Sequence, residues 1–250
     1  MLKTYKILIS GIVQGVGFRP YVYNLALEFP LKGTVSNNEE GVIIFISGLE
    51  ESIHKFYNKL LQFPPPVSRI KNSLITPIDF QKFDDFKIIP SKTSGLLNLP
   101  LTPDFAICDD CKNDIENSEN HRFNYAFTTC VNCGPRWGIT KTFPFERRNT
   151  SIHEFPMCEQ CEKEYTSPKD RRFHSQTNTC NTCGIKLVLI DNNGNKVDVS
   201  QQNLFKEIAK FLSKGNIIAI KNTSGYLLCC NAENEEVIQK LRDKKNRLNK

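Results

Sequence analysis

The chain has no apolar run approaching the roughly 18 residues needed to span a membrane. Its first apolar stretch, Lys3–Val13, is too short and too polar for the core of an export signal. These absences argue against a membrane-spanning helix and against a secreted, disulfide-held fold, and they predict a reducing, cytoplasmic setting. Charge of one sign is scarce as well. The formal net charge is +6, but residues 240–250 hold six basic side chains (Lys240, Arg242, Lys244, Lys245, Arg247, Lys250) against the one acid Asp243. That tip accounts for +5, which leaves +1 for everything before it. A broad nucleic-acid surface is therefore not favoured; a local anion site, or a solvated helix face, explains the tip. Histidine is limited to four residues. His54 and His121 belong to no recognisable constellation. His174 follows Arg171-Arg172 and suits a polar contact between domains.

Cysteine is abundant, with ten in 250 residues. Eight form two copies of C-x2-C-x18-C-x2-C, namely Cys108, Cys111, Cys130 and Cys133, then Cys158, Cys161, Cys180 and Cys183. The spacing is that of four-cysteine zinc sites, in which each C-x2-C turn presents two thiolates to one metal. The second copy lies 50 residues after the first. The repeat extends to Phe105/Phe155, Arg122/Arg172, Phe123/Phe173, Thr129/Thr179 and Gly134/Gly184. Two structural zinc ions are expected, because four thiolates leave no coordination position for a substrate. Duplication favours self-contained sites; interleaved ligation between repeats is the alternative. His174 aligns with Asn124, so a ligand role for it would make the two sites unlike.

The flanks read as separate units. Over residues 1–90, strand-like Tyr5–Val13 leads into Gln14-Gly15-Val16-Gly17-Phe18-Arg19. A helix then runs to about Glu28, with Pro20 in its first turn. Gly33–Asn37 and Val42–Ser47 suggest a hairpin, Ser52–Gln62 a second helix stopped by Pro64-Pro65-Pro66, and Ser68–Asp79 a further strand. The order β-α-β-β-α-β is ferredoxin-like. Residues 91–104 read as a linker, 105–139 and 140–190 as the zinc modules, and 191–250 as an incomplete α/β segment. In that last segment Leu204–Leu212 is a helix, Asn216–Ile220 a buried strand, Glu233 onward a helix, and Cys229 and Cys230 core residues. One helix-strand-helix buries too little surface to stand alone. The expected class is α+β and multidomain.

The turn after the first strand offers backbone N–H groups to an anion, and Arg19 adds a forked cation suited to phosphate. Together with Gly33-Thr34-Val35-Ser36-Asn37 and Gly41-Val42, the run Gly11–Arg19 closely resembles acylphosphatase across the first 90 residues. The resemblance implies that Arg19 binds the phosphoryl group and Asn37 orients the attacking water. It also implies that the amides of Gln14, Gly15, Val16, Gly17 and Phe18 hold phosphate oxygens. No general base is evident in the sequence, and an acyl phosphate's own oxygen can assist the water.

An acylphosphatase unit followed by this cysteine repeat resembles the HypF-type carbamoyltransferases of nickel–iron hydrogenase maturation. The runs Asn132-Cys133-Gly134-Pro135-Arg136 and Asp170-Arg171-Arg172-Phe173-His174 match that family. Gly215–Lys221 and Leu241–Arg247 resemble the opening of a YrdC-like nucleotide-binding domain, with Lys221, Lys245 and Arg247 at its basic positions. Its glycine-rich turn is thinned here to Lys221-Asn222-Thr223-Ser224-Gly225-Tyr226-Leu227-Leu228. The implied partners are carbamoyl phosphate, ATP with magnesium, and a maturation protein that accepts the carbamoyl group on its C-terminal cysteine. A 250-residue chain with an incomplete YrdC-like segment is expected to retain acyl-phosphate hydrolysis and zinc binding. The rival reading is a non-catalytic zinc module contacting RNA or protein.

Overall fold

The computed structural model describes residues 2–91, 102–222 and 225–247. Strand β1 (Leu2–Ile12), helix α1 (Phe18–Glu28), strands β2 (Lys32–Asn38) and β3 (Gly41–Leu49), helix α2 (Glu50–Gln62) and strand β4 (Arg69–Ile78) follow the expected order. A short strand, β5 (Phe86–Ile88), was not expected. It pairs parallel with β2, giving the sheet order β4-β1-β3-β2-β5.

Period-2 alternation explains the sheet. Tyr5, Ile7 and Ile9 on β1 and Val42, Ile44 and Ile46 on β3 are buried on one face. Val22, Leu25 and Ala26 of α1 and Ile53, Phe56 and Leu60 of α2 supply the covering helical layer. Each such apolar side chain contributes about 1.5–3 kcal/mol when fully buried. Every member of this cluster lies between Tyr5 and Phe86, so the unit has its own core. Glu50 and Glu51 in the first turn of α2 complement its dipole, and the prolines end it.

Each cysteine repeat begins with a short helix, α3 (Asp109–Glu116) or α4 (Glu159–Thr166). Cys108 and Cys158 cap these helices, and Cys111 and Cys161 lie within them, so the helix start orients both thiols of each pair. The segment between the repeats folds into 3-10 turns bridged at Thr140 and Thr150.

Beyond the repeats, Ile190 bridges Lys196 around the expected turn. Helix α5 (Leu204–Ser213), strands β6 (Ile218–Asn222) and β7 (Gly225–Cys229) and helix α6 (Glu235–Lys244) follow. Three expectations are corrected here. The apolar run after β6 forms β7, antiparallel to β6. Strand β6 is largely exposed rather than buried, because its sheet has only two strands among the described residues. Cys229 and Cys230 are half-buried and not in a core. Most of the linker, residues 92–101, lies outside the described residues. Its flanks are held: Ser91 contacts Glu146, and the Thr102 carbonyl accepts from the Trp137 indole. No helix among the described residues is long and apolar enough to cross a membrane.

Candidate anion pocket and metal centres

Gly15 and Gly17 have φ of 71° and 74°, the left-handed conformation that glycine adopts at low cost. Both also face close neighbours. A Cβ on Gly15 would lie 3.0 Å from the Pro135 Cβ, and one on Gly17 would lie 2.9 Å from the Val131 Cβ. The first finger therefore sits directly over the turn. The amides of Gln14–Gly17 donate to no backbone carbonyl among the described residues. Val16 and Phe18 bury their side chains in the core, so their amides are what they offer an anion. The Gln14 side chain works elsewhere: its Nε2 donates to the Asn38 and Gly41 carbonyls at 2.7 and 2.8 Å and ties the turn to the β2–β3 connection.

Asn37, on β2, is 1 % exposed, and neither its Oδ1 nor its Nδ2 has a hydrogen-bond partner. Burying polar atoms unpaired costs about 1–3 kcal/mol each, so this amide is built to meet something polar. It lines a cavity of about 30 Å³ together with Gly15, Gly17, Arg19, His174 and Gln176. The cavity thus joins the glycine turn, Arg19 and Asn37 to a wall contributed by the second repeat.

Arg19 donates through Nη1 to Glu146 Oε1 at 2.8 Å and to Ser91 Oγ at 3.5 Å. Its Nε and Nη2 donate to nothing among the described residues. Burial alone would raise the pKa of Glu146, but the Ser91 hydroxyl, Arg19 and Arg148 together hold it below the usual carboxylate range. His174 stacks near Tyr165 and Phe173, with centroids 5.0 and 4.6 Å away. Burial, and then the charge on Arg19, push its pKa down to about 4, so it faces the cavity as a neutral imidazole. It is no metal ligand; it and Asn124, its repeat equivalent, share φ values of 52° and 54°.

The cysteines gather as two sequential quartets, Cys108/Cys111/Cys130/Cys133 and Cys158/Cys161/Cys180/Cys183. Sulfur–sulfur distances are 3.6–3.9 Å in the first and 3.7–3.8 Å in the second. A tetrahedron with Zn–S bonds of about 2.3 Å has edges of about 3.8 Å. Both sets therefore fit zinc.

The ligand sets are self-contained, but their supports are exchanged. Arg122 of repeat one, fully buried, reaches into repeat two. It bonds both Glu164 oxygens (2.8 and 2.5 Å), Asn178 Oδ1 (2.8 Å), the Thr179 carbonyl (3.0 Å) and Cys161 Sγ (3.4 Å). Arg172 returns the contact, to Asp114, the Thr129 carbonyl (3.2 Å) and Cys111 Sγ (3.8 Å). Asp114 and Glu164 are themselves 50 residues apart, so the exchange has local two-fold symmetry. Each arginine brings positive charge to the other repeat's thiolates. His121, read as isolated, lies beside this network, 3.5 Å from Glu164.

The first domain docks on the finger body through Tyr23 against Phe173 (centroids 5.2 Å apart) and Asn24 Nδ2 to the Pro168 carbonyl (3.0 Å). Lys221 lies on β6, apart from Lys245 and Arg247, which both lie just past α6; all three are exposed. Glu146, Ser91 and His174 are the pocket neighbours that sequence reasoning missed as a group. They meet Arg19 only through the docking of finger on sheet.

A ferredoxin-like sheet with a phosphate-type glycine turn, joined to paired four-cysteine fingers, defines a narrow class. The acylphosphatase family profile matches residues 5–88, the HypF finger profile matches 107–140 and 157–190, and the profile described as telomere recombination (Sua5/YciO/YrdC) matches 210–250. The chain is 42 % identical to the carbamoyltransferase HypF of Synechocystis sp., over all of this chain and 32 % of that protein. It is 46 % identical to the probable carbamoyltransferase HypF of Methanocaldococcus jannaschii, over 95 % of this chain and 31 % of that protein. A crystal structure of full-length HypF in its phosphate- and nucleotide-bound form superposes with a TM-score of 0.87 at 38 % identity, covering 100 % of this chain and 32 % of that one. Over its whole length the chain is similar to HypF carbamoyltransferases, and it spans about a third of the length of these relatives.

Proposed function

We propose that this chain hydrolyses carbamoyl phosphate in the pocket formed by the Gln14–Phe18 amides, Arg19 and Asn37. The observation that carries this reading is the convergence on one small cavity of donors that have no partner among the described residues: the Gly15 and Gly17 amides, two nitrogens of Arg19, and the buried Asn37 amide. The amides and Arg19 hold the phosphate oxygens and offset their charge. Asn37 places a water in line with the phosphorus. The water oxygen attacks phosphorus, the bond from phosphorus to the acyl oxygen breaks, carbamate leaves, and the water's proton passes to a phosphate oxygen. Neutral His174 bounds the site without competing for the anion's charge.

Within the longer proteins of the family, residues 210–250 would open the pocket in which ATP, with magnesium, activates the released carbamate. Lys221, Lys245 and Arg247 would face the nucleotide's phosphates. A hydrogenase maturation protein would then receive the carbamoyl group on its C-terminal cysteine. The two zinc ions are structural, held by the quartets, and the reduced thiols suit the cytoplasm. Phosphate release from carbamoyl phosphate by the purified chain tests the reading. A rate no greater than the uncatalysed one would favour the rival, a zinc module that only contacts RNA or protein.

A further inference from the structure

Arg19 cannot direct its fork at a phosphate unless something fixes the rest of the guanidinium, since a long side chain at a domain edge samples many rotamers. The fixing contact comes from outside the acylphosphatase-like domain. Glu146 lies in the segment between the two cysteine repeats, 127 residues along the chain, yet its Oε1 takes Arg19 Nη1 at 2.8 Å. The two side chains are only 11 % and 10 % exposed. Glu146 is held in turn. Its Oε1 accepts from the Ser91 amide at 3.2 Å and from the Ser91 hydroxyl, and its Oε2 accepts from Arg148 at 2.8 Å. Arg148 also donates to the Ser91 carbonyl at 3.3 Å, which closes the cluster.

Glu146 is absent from the lining of the cavity that Arg19 and Asn37 share. The carboxylate thus sits behind Arg19, engaging Nη1, while Nε and Nη2 remain for the anion. With Arg148 beside it, the cluster of two cations and one carboxylate keeps a net positive charge, so the pocket stays attractive to phosphate. We propose that Glu146, seconded by Ser91, is the positioning residue for Arg19, so that the finger body supplies part of the anion site. This inference rests on the hydrolytic reading of the Arg19–Asn37 pocket.

Three properties separate positioning from plain structural support. Glu146→Ala should lower kcat for carbamoyl phosphate by about tenfold or more, while KM moves only a few-fold, because orientation is lost rather than the cation. Glu146→Gln retains an oxygen acceptor for Nη1 and should recover much of the rate. In an Arg19→Ala background, Glu146→Ala should cost little further, since it acts only through the side chain already removed. Ser91→Ala gives a milder version of the same effect and covers the case in which Glu146→Ala folds poorly. Zinc content and circular dichroism report folding throughout. Unchanged kcat in Glu146→Ala, with Arg19→Ala inactive, would overturn this inference and leave the hydrolytic site standing. A rise in kcat would overturn it too, by showing that the carboxylate competes with phosphate. If Arg19→Ala hydrolyses as well as wild type, the hydrolytic reading itself is lost.

Discussion

Arg19 and Asn37 are asked for different things, and their variants should separate. Arg19→Ala removes a cation lining the pocket that no other lysine or arginine among the described lining residues replaces, so binding and turnover should both suffer, with phosphate release falling by roughly 10²-fold or more. Asn37→Ala removes a buried side-chain amide that has no partner among the described residues, so no hydrogen bond seen there is lost, and the rate should drop with KM nearly unchanged. Circular dichroism should be unaltered in both. Equal hydrolysis by Arg19→Ala would remove the phosphoryl assignment. Both residues were singled out in the sequence through the resemblance to acylphosphatase, which the glycine turn before α1 and the end of β2 carry. Glu146 was not, and His174 was read only as a polar contact between domains. Their relation to the pocket depends on where the finger body docks, and no local spacing encodes that. His174 adds a pH dependence. It is neutral in the fold with a pKa near 4, against an ordinary value of about 6.5. The unfolded chain therefore binds the extra proton first, and His174 costs stability as pH falls from about 6.5 towards 4. Glu146 acts in the same direction in a lower window: its depressed pKa stabilises the fold above its unfolded value of about 4.5, and that contribution disappears as pH falls through the lower folded value. Fluorescence of Trp137, the one tryptophan and a neighbour of Phe145, should report acid loosening at this interface. His174→Gln should move its onset to lower pH; an unmoved onset would remove His174 from the account.

Between elements, the informative feature is the exchange of arginines by the two repeats. The 50-residue offset made the duplication plain, and the duplication favoured two self-contained metal sites while leaving interleaved ligation open. The aligned pair Arg122 and Arg172 was read in the sequence too, whereas the pair Asp114 and Glu164, which shares the offset, was not. That each arginine crosses to the other repeat was not visible, because a repeat written in one dimension does not say whether its charged partners lie within a copy or across the pair. The crossing has an energetic consequence. Arg122→Ala would leave Glu164 largely buried beside a thiolate centre without its cation, and breaking such a pair costs about 3–5 kcal/mol. The damage should appear in the second repeat, although the mutation is in the first. Zinc should leave the Cys158/Cys161/Cys180/Cys183 site faster under a chelator, and the Cys108 quartet should follow because the two frames share supports. Faster loss confined to the first quartet would mean that the crossing contacts contribute little. Strand β7 shows another limit of one-dimensional reading. Gly225–Cys229 read in the sequence as an apolar stretch following a strand, and only pairing with β6 makes them a second strand.

At the scale of the molecule, the sheet domain has a core of its own, whereas its pocket is completed by the fingers. The core from Tyr5 to Phe86 is independent of the cysteine repeats. By contrast, Val131, Pro135, Glu146 and His174 press on the turn and on Arg19 from the finger side. Structural zinc supplies folding free energy to small units that lack a large apolar core, and the cysteine cluster here is such a unit. Chain purified without added metal should hold two zinc ions; a value near one would point to a single shared site. Stripping both should loosen the finger body, release Glu146 from Arg19 and uncover the anion turn. The expected result is loss of most carbamoyl phosphate hydrolysis on chelation, with the circular dichroism of the β1–β5 sheet retained, and recovery of the rate when zinc is restored. A four-cysteine site has no open position for substrate, so this loss would reflect support of the pocket and not metal chemistry at phosphorus. Full activity in the metal-free chain would show that the fingers merely adjoin the pocket, and the sheet domain alone would then account for the hydrolysis.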